Sequence, residues 1–396
     1  MRTALAVTLA LAGAAACGGP GFAPPPVHPT SAATPASDLA TAKTTPPAAT
    51  DAGGHLATKD PRVVDLDVIR IRAVPRGVGG EPEMETTSTT ELFNAATAAA
   101  KAGHTDEAID KYRQLVAEFP DSGFAPVSLF NIAAIYDGRG DPDQTIATLR
   151  DLVAKYPDSR ESIDGNLYIA AVQADHRQYA DCAATIDGLL ARAHLTYTDR
   201  LEADARKGYV LIELGRLDDA DAALDAALAE WRAAPHVDDP FYVAMASYYK
   251  GEVAHRRFLA APVRLPDDQL VADLDAKRVL VVRAYDAWKG SLDFKQGYWS
   301  TAAGYQMSEI FEELWEAEVT APYPARIDTG TRATYVQRLH ADARKELEKA
   351  LEGHRMNVEL AKAYGIDTDW SRGSAQQAAK IMGLLADEAA GRYVTP

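Results

Sequence analysis

The sequence predicts an all-α protein in which helix pairs stack into a right-handed solenoid with longer C-terminal helices, preceded by a disordered tether and a short extended segment. The string EFPDS ending at Ser122 recurs as KYPDS ending at Ser159, so that Pro120 and Pro157 are separated by 37 residues. A fixed period of this size indicates repeated helical units. At 396 residues, the chain also exceeds what one hydrophobic core usually organises, and its abundant alanine favours closely packed helices.

The first 16 residues are typical of a secretory leader, with one basic residue, an apolar stretch and small residues that lead into Cys17. The stretch is too short to remain in a bilayer as a spanning helix. The string AAAC at 14–17 resembles the lipobox of bacterial lipoproteins, which implies diacylglycerol on the Cys17 thiol and acylation of the freed amine. The alternative is an ordinary leader whose cleavage releases a secreted protein.

The resemblance to lipoproteins also predicts a location. Three acyl chains would exceed the roughly two-chain threshold for stable attachment. The residue after the cysteine is Gly18, whereas an inner-membrane retention signal resembles Asp at this place. We therefore expect a lipid-anchored outer membrane protein that faces the periplasm, with a secreted or cell-surface location as the alternative.

Residues 17–60 form the predicted tether, with the lipidated Cys17 at its start. Pro, Ala, Thr and Gly dominate this segment, and Phe22 is its one aromatic residue. Such a composition cannot bury enough apolar surface to offset the entropy lost on ordering, so we predict disorder.

Residues 61–88 form the predicted extended segment. In its first part, apolar residues alternate with charged ones, with a phase slip in the middle. The alternating residues are Val64, Asp65, Leu66, Asp67, Val68, Ile69, Arg70, Ile71 and Arg72. Because an all-helical stack offers a strand nothing to pair with, the segment either straps against the first helices or presents an edge to a partner strand.

Residues 89–262 repeat one pattern of small, apolar, glycine and proline positions. In the first repeat these positions hold Leu92, Ala96, Gly103, Ala108, Tyr112 and Pro120. In the second they hold Leu129, Ala133, Gly140, Thr145, Leu149 and Pro157, with Tyr136 at an additional aromatic position. The pattern resembles the tetratricopeptide-repeat (TPR) family, which implies that small residues lie where two helices touch and that glycine makes the turn.

The third, fourth and fifth repeats match less fully. The third places Cys182 at the small position, which indicates a buried structural thiol because Cys17 has a different role. The fourth carries GRLDDADAALDAAL, with Gly208 and Gly215 in place. The fifth has Gly251 at its close-contact position but is interrupted by LAAPVRLPDD before its second helix.

The resemblance to TPR proteins implies a groove lined by the fifth and ninth residues of each first helix. The predicted partner-binding residues are Phe93, Phe130, Leu167, Tyr209 and Tyr248. Family members that clamp a C-terminal carboxylate have Lys and Asn at such places, and these positions hold neither. An apolar helix or strand of a partner protein is therefore expected.

Residues 263–396 predict longer helices that cap the stack. Helical patterns run from Asp267 to about Phe294, over 297–319, from Arg332 to Tyr364 and from Asp369 to about Arg392. Gly365 is expected to end the third of these helices.

No motif for catalysis, metal or cofactor binding is found. The nine histidines lack metal-ligand spacing, and there is no phosphate loop, nucleophile elbow or dinucleotide fingerprint. Four glutamates share helical spacing, but without an accompanying Glu-x-x-His we interpret them as a solvated helix face. They are Glu309, Glu312, Glu313 and Glu316. The sequence thus predicts no catalytic residue, metal, cofactor or small-molecule substrate.

The charge balance excludes a further class of partner. The formal net charge is −16, and the basic runs are no longer than pairs such as Arg256-Arg257. Nucleic acid and anionic lipid surfaces would be repelled.

The predicted function is a non-catalytic scaffold for other envelope proteins. The PDS ends resemble the helix-pair junctions of BamD-like and Tol-Pal-associated TPR proteins. A structural component of a large envelope or motility machine, assembled through the C-terminal third, is one alternative. An accessory to a cell-wall enzyme is the other.

Overall fold

The computed structural model describes residues 69–74, 83–233 and 239–396. The predicted leader, Cys17 and the tether at 17–60 lie outside the described residues. The described elements are β1 Ile69–Val74, β2 Glu83–Ser88, α1 Thr89–Lys101, α2 Thr105–Glu118, α3 Phe124–Gly138, α4 Pro142–Lys155, α5 Arg160–Asp175, α6 Tyr179–Leu190, α7 Tyr197–Glu213, α8 Leu217–Ala233, α9 Phe241–Ala260, α10 Asp267–Leu292, α11 Gly297–Val319, α12 Arg332–Tyr364 and α13 Asp369–Ala389.

The helices form the predicted all-α solenoid. From α1 to α13 each helix packs on the next, and α1, α3, α5, α7 and α9 also touch one another in order. The first helices of the pairs therefore make one continuous layer, and the second helices lie beside it.

Small residues and left-handed turns hold the helix pairs together as predicted. The equivalent positions Ala108, Thr145, Cys182 and Ala220 are each at most 1% exposed. Three of the turns contain a glycine with positive φ, a conformation that costs glycine little; they are Gly103, Gly140 and Gly215. In the third repeat Arg177 takes this conformation instead, with φ of 57°.

Cys182 is a structural residue, as the sequence predicts. Its thiol donates a hydrogen bond to the Ala170 carbonyl oxygen at 3.0 Å, which joins α6 to α5. Burial raises the pKa of the thiol to about 12. The reactive thiolate form is therefore suppressed at neutral pH.

The predicted strand has a partner strand that the alternation of residues did not predict. β1 pairs antiparallel with β2, and Ile71 lies opposite Thr86. The expectation that the strand would find nothing to pair with is wrong, because residues 83–88 take an extended conformation directly before α1. Ser88 ends β2 and caps α1 by accepting a hydrogen bond from the Glu91 backbone N–H.

The hairpin is fastened to the helices, as one of the two predicted alternatives requires. Arg70 donates to the Glu118 carbonyl oxygen at 2.5 Å, and Arg72 to the Glu118 carboxylate at 2.6 Å. The Arg70 guanidinium also lies over the Phe119 ring, 5.4 Å from its centroid. Both arginines therefore strap β1 to the C-terminal end of α2.

The interrupted fifth repeat is completed by α10. A Cβ atom at Gly251 would lie 2.3 Å from the Trp288 ring, so only glycine allows α9 and α10 to approach this closely. The larger hydrophobic core runs without a break from Leu167 to Trp370. The boundary at residue 262 thus marks a change in the sequence pattern, whereas the hydrophobic core continues across it.

The C-terminal helices lie where the sequence predicts them. Helix α12 ends at Gly365 in the left-handed conformation, with φ of 66°. Helix α13 begins with a capping box between Thr368 and Ser371. A third, smaller core joins α11, α12 and α13 around Trp315 and Leu347.

Candidate partner-binding surfaces

The five predicted groove residues lie on the first helices of five successive pairs, α1, α3, α5, α7 and α9. Four of them are buried, with exposed fractions of 4% for Phe93, 6% for Leu167, 3% for Tyr209 and 3% for Tyr248. Phe130 alone is partly exposed. The open groove expected over all five positions is therefore closed at four of them, whereas the role of these residues toward a partner stays a prediction.

Neighbouring aromatic side chains close the groove at α1 and α7. Phe93 packs against the rings of Tyr112 and Phe124, with centroid distances of 5.7 and 4.9 Å. The Tyr209 ring lies between those of Tyr179 and Tyr249, with centroid distances of 6.1 and 5.1 Å. Burial raises the pKa of Tyr209, so its hydroxyl stays neutral.

The C-terminal helices close the groove at α9. The Tyr248 ring packs against Trp299 of α11 and Trp370 of α13, with centroid distances of 5.2 and 6.3 Å. Burial raises the pKa of Tyr248 well above its ordinary value. Residue spacing along α9 shows on which face of the helix Tyr248 lies. It does not show that helices more than 50 residues later fold onto that face.

An aromatic patch remains on the layer of first helices between α3 and α5. We define it as Phe130, Tyr168 and Asp137. The rings of Phe130 and Tyr168 are 5.7 Å apart, and the Tyr168 hydroxyl donates to the Asp137 carboxylate at 2.8 Å. Burial, followed by the charge of Asp137, raises the pKa of Tyr168. The patch thus combines two partly exposed rings with one carboxylate, which suits an apolar group next to a hydrogen-bond donor.

A cavity of about 430 Å³ lies between α2, α3 and α4. Its volume is within the usual range for small ligand sites. Its apolar lining includes Leu129 and Ile132, which are 5% and 1% exposed. Arg113, Asp151 and Lys155 also line it, and Lys155 is paired with Asp151 at 2.8 Å. Because three separate helices contribute to the cavity, no single stretch of the sequence predicts it.

The prediction that the glutamates of α11 form a solvated helix face is wrong. Glu309 and Glu312 are 8% and 5% exposed, so this face is not solvated; Glu313 is half-buried, and of the four only Glu316 is exposed. The reason is that α12 and α13 fold back over α11. Glu309 accepts two hydrogen bonds from Gln377, of 2.9 and 2.7 Å, and Glu312 pairs with Lys380 at 2.7 Å.

Buried histidines provide further partners for this face. His255 of α9 lies 2.6 Å from Glu313, and His354 of α12 lies 3.6 Å from Glu309. Burial by itself lowers the pKa of His255, but the neighbouring carboxylates outweigh it and raise the pKa to about 10. Burial raises the pKa of Glu309, but its hydrogen bonds and His354 bring it below the usual value. The raised pKa of His255 favours a charged pair with Glu313 that joins α9 to α11.

Two absences hold for the described ranges 69–74, 83–233 and 239–396. They contain no cluster of three or more His, Cys, Asp or Glu side chains arranged to hold a metal ion. None of the helices there combines the length and apolar character needed to cross a bilayer.

The stack of helix pairs belongs to the class of helical repeat proteins. Residues 82–238 match the family model of the tetratricopeptide repeat-like domain. No curated protein sequence is significantly similar to the chain.

The comparison with solved structures found similarities of low identity, each with a TM-score below 0.5. The C-terminal part of a TPR repeat-containing protein from Cytophaga hutchinsonii is 14% identical, with a TM-score of 0.40, covering 76% of this chain and 100% of that one. A tetratricopeptide repeat protein from Parabacteroides merdae is 12% identical, with a TM-score of 0.34, covering 74% and 98%. The apo form of RapI is 11% identical, with a TM-score of 0.41, covering 74% and 98%.

Proposed function

We propose that this chain is a non-catalytic scaffold that binds segments of other proteins at its TPR-like domain. The observation that carries the proposal is the aromatic patch, Phe130, Tyr168 and Asp137: within it Phe130 stays partly exposed, whereas the equivalent residues of the other first helices are buried. Aromatic side chains are enriched among the residues that anchor a partner in protein–protein interfaces.

The chemistry of the patch indicates what it binds. The two rings offer an apolar contact, and the Asp137 carboxylate offers an acceptor beside them. An apolar side chain of a partner helix or strand, with a donor group close by, satisfies both requirements. The partner segment is therefore apolar with one adjacent cationic or hydroxyl side chain.

The proposal includes a location. Acylation of Cys17 would anchor the chain in the outer membrane facing the periplasm, and its partners would be other envelope proteins. The support for this is the AAAC string and the apolar leader before it. Replacing Cys17 with Ser should move the protein from the membrane pellet to the soluble fraction and abolish lipid labelling. A wild-type chain without lipid label would contradict the anchor without affecting the scaffold.

Affinity capture from envelope extract tests the scaffold. Wild-type protein, F130S and a control variant, M356S, are used as bait, and captured proteins are quantified by mass spectrometry. Met356 is 59% exposed on α12, far along the chain from the patch. A partner that depends on the patch should be retained by wild type and M356S, and reduced at least about tenfold by F130S. Identical capture by all three baits would contradict the proposed patch.

A further inference from the structure

The Asp137 carboxylate of the aromatic patch has no basic partner in the part of the chain that the structure describes. Asp137 is exposed and accepts a hydrogen bond from the Tyr168 hydroxyl at 2.8 Å. No described Lys, Arg or His side chain forms an ion pair with it. The nearest basic residue in the sequence, Arg139, pairs instead with Asp106 of α2 at 2.7 Å. The negative charge of the patch is therefore not compensated by these residues.

The end of helix α3 adds to the negative charge. Asp137 is the second-last residue of α3, and the last turn of this helix contains no basic residue. The C-terminal end of a helix carries a partial negative charge, which disfavours a carboxylate there and favours a cation. The carboxylate and the helix end thus both attract a positively charged group to the patch.

The two rings of the patch indicate which cation fits. Phe130 and Tyr168 are partly exposed, and their planes are tilted by 48°. Cations are attracted to the face of an aromatic ring, and arginine occurs there more often than lysine. A guanidinium is planar, so it can stack on a ring while its N–H groups point in the same plane toward a carboxylate. A lysine ammonium is a compact, strongly hydrated charge without such a face.

We propose that the aromatic patch binds one arginine side chain of a partner protein. The Tyr168 hydroxyl donates to Oδ2 of Asp137, which leaves Oδ1 to accept from the guanidinium. The guanidinium then lies over the Tyr168 ring, and the methylene groups of the arginine cover Phe130. This inference rests on the proposed function, because it names the side chain that a partner places on the same patch.

Titration with blocked peptides tests the arginine site. The full chain is labelled with fluorophenylalanine, and the fluorine NMR signal of Phe130 is identified, among those of the nine phenylalanines, by its loss in F130L. The probe is the peptide acetyl-Ala-Leu-Arg-Leu-Ala-amide. Two matched peptides carry lysine or citrulline, the uncharged isostere of arginine, at the central position. The shift of the Phe130 signal with peptide concentration gives a dissociation constant at this site.

The arginine peptide should bind the wild-type chain most tightly. The citrulline peptide should bind at least about tenfold more weakly, because it loses both the ion pair and the attraction of a cation to the rings. The lysine peptide should bind about threefold more weakly, because it lacks the stacked plane. D137N should weaken binding of the arginine peptide about fivefold. D143N removes another exposed carboxylate, on α4 in the layer of second helices, and should leave the affinity unchanged.

Four results would overturn the arginine site. Equal affinity for the arginine and citrulline peptides would show that charge contributes nothing, and equal affinity for lysine would show that stacking contributes nothing. Equal weakening by D137N and D143N would assign the attraction to the net charge of the chain. A Phe130 signal that does not shift with the arginine peptide would exclude arginine from the patch. Each result contradicts this inference alone, because capture of partners by F130S tests the scaffold separately.

Discussion

The first two repeats and the C-terminal helices differ in what joins their buried faces. Between α1 and α3 the central polar contact is neutral: the Tyr112 hydroxyl shares hydrogen bonds with Thr97 and Asn131, at 2.9 and 3.1 Å. Between α9 and α13 the buried contacts include ionisable pairs such as His255 with Glu313. The same repeat-like packing can therefore be insensitive to pH in one region and sensitive to it in another.

The buried ion pairs of the C-terminal helices contribute more to the orientation of the helices than to the net stability of the fold. A buried ion pair adds little net stability because desolvation offsets its attraction, yet losing one partner is costly. The pairs at α11 thus fix how α9, α12 and α13 lie against it. The first two repeats, α1 to α4, achieve their alignment through small residues such as Ala108 and Thr145 and through glycine turns instead.

The largest expected effect is on the neutral N-terminal core. Tyr112 is fully buried, and its hydroxyl bridges Thr97 and Asn131. Y112A should lower the free energy of unfolding by about 3–5 kcal/mol, measured by chemical denaturation. F93S should cost a similar amount, because Phe93 packs against the same ring. A loss below about 1 kcal/mol for either variant would show that this core is not packed as described.

A pH titration sharpens the contrast between the regions. The folded pKa of His255 is about 10, above its ordinary value of 6.5, so its stabilising effect is complete below about pH 6.5 and is lost as the pH rises to about 10. The C-terminal helices should lose several kcal/mol over this window. Hydrogen exchange in α9 and α11 measures this loss, and α1–α4 serve as the internal reference. H255Q should flatten the profile; an unchanged profile in H255Q would assign the sensitivity to another group.

The smallest effect is expected at the aromatic patch. Phe130 is partly exposed, so F130S should lower the free energy of unfolding by roughly 1 kcal/mol or less, well below F93S at the equivalent position. Chemical denaturation of both variants checks this. A matched loss at the two positions would mean that Phe130 is a core residue and would remove the basis for a binding role.

Much of the helical architecture could be predicted because its signals are local. Turn glycines such as Gly103, the small residue Cys182 and the helix-ending Gly365 each act within one or two turns of helix. Their structural roles follow from residue type and spacing alone.

The rest depends on contacts between residues far apart in sequence. Tyr248 has the spacing of a groove residue, but Trp299 and Trp370 cover it. Glu309 has the spacing of a solvated face, but Gln377 and His354 meet it inside the core. Periodicity identifies a face of a helix and leaves open which later helix packs there.

The buried thiol of Cys182 can report how often the third repeat opens. Its pKa of about 12 and its 1% exposure mean that an alkylating reagent reacts only when α5 and α6 separate. Once Cys17 is replaced, Cys182 is the single cysteine of the chain. The rate at which this thiol is alkylated then measures how often one repeat opens while the rest of the stack stays folded.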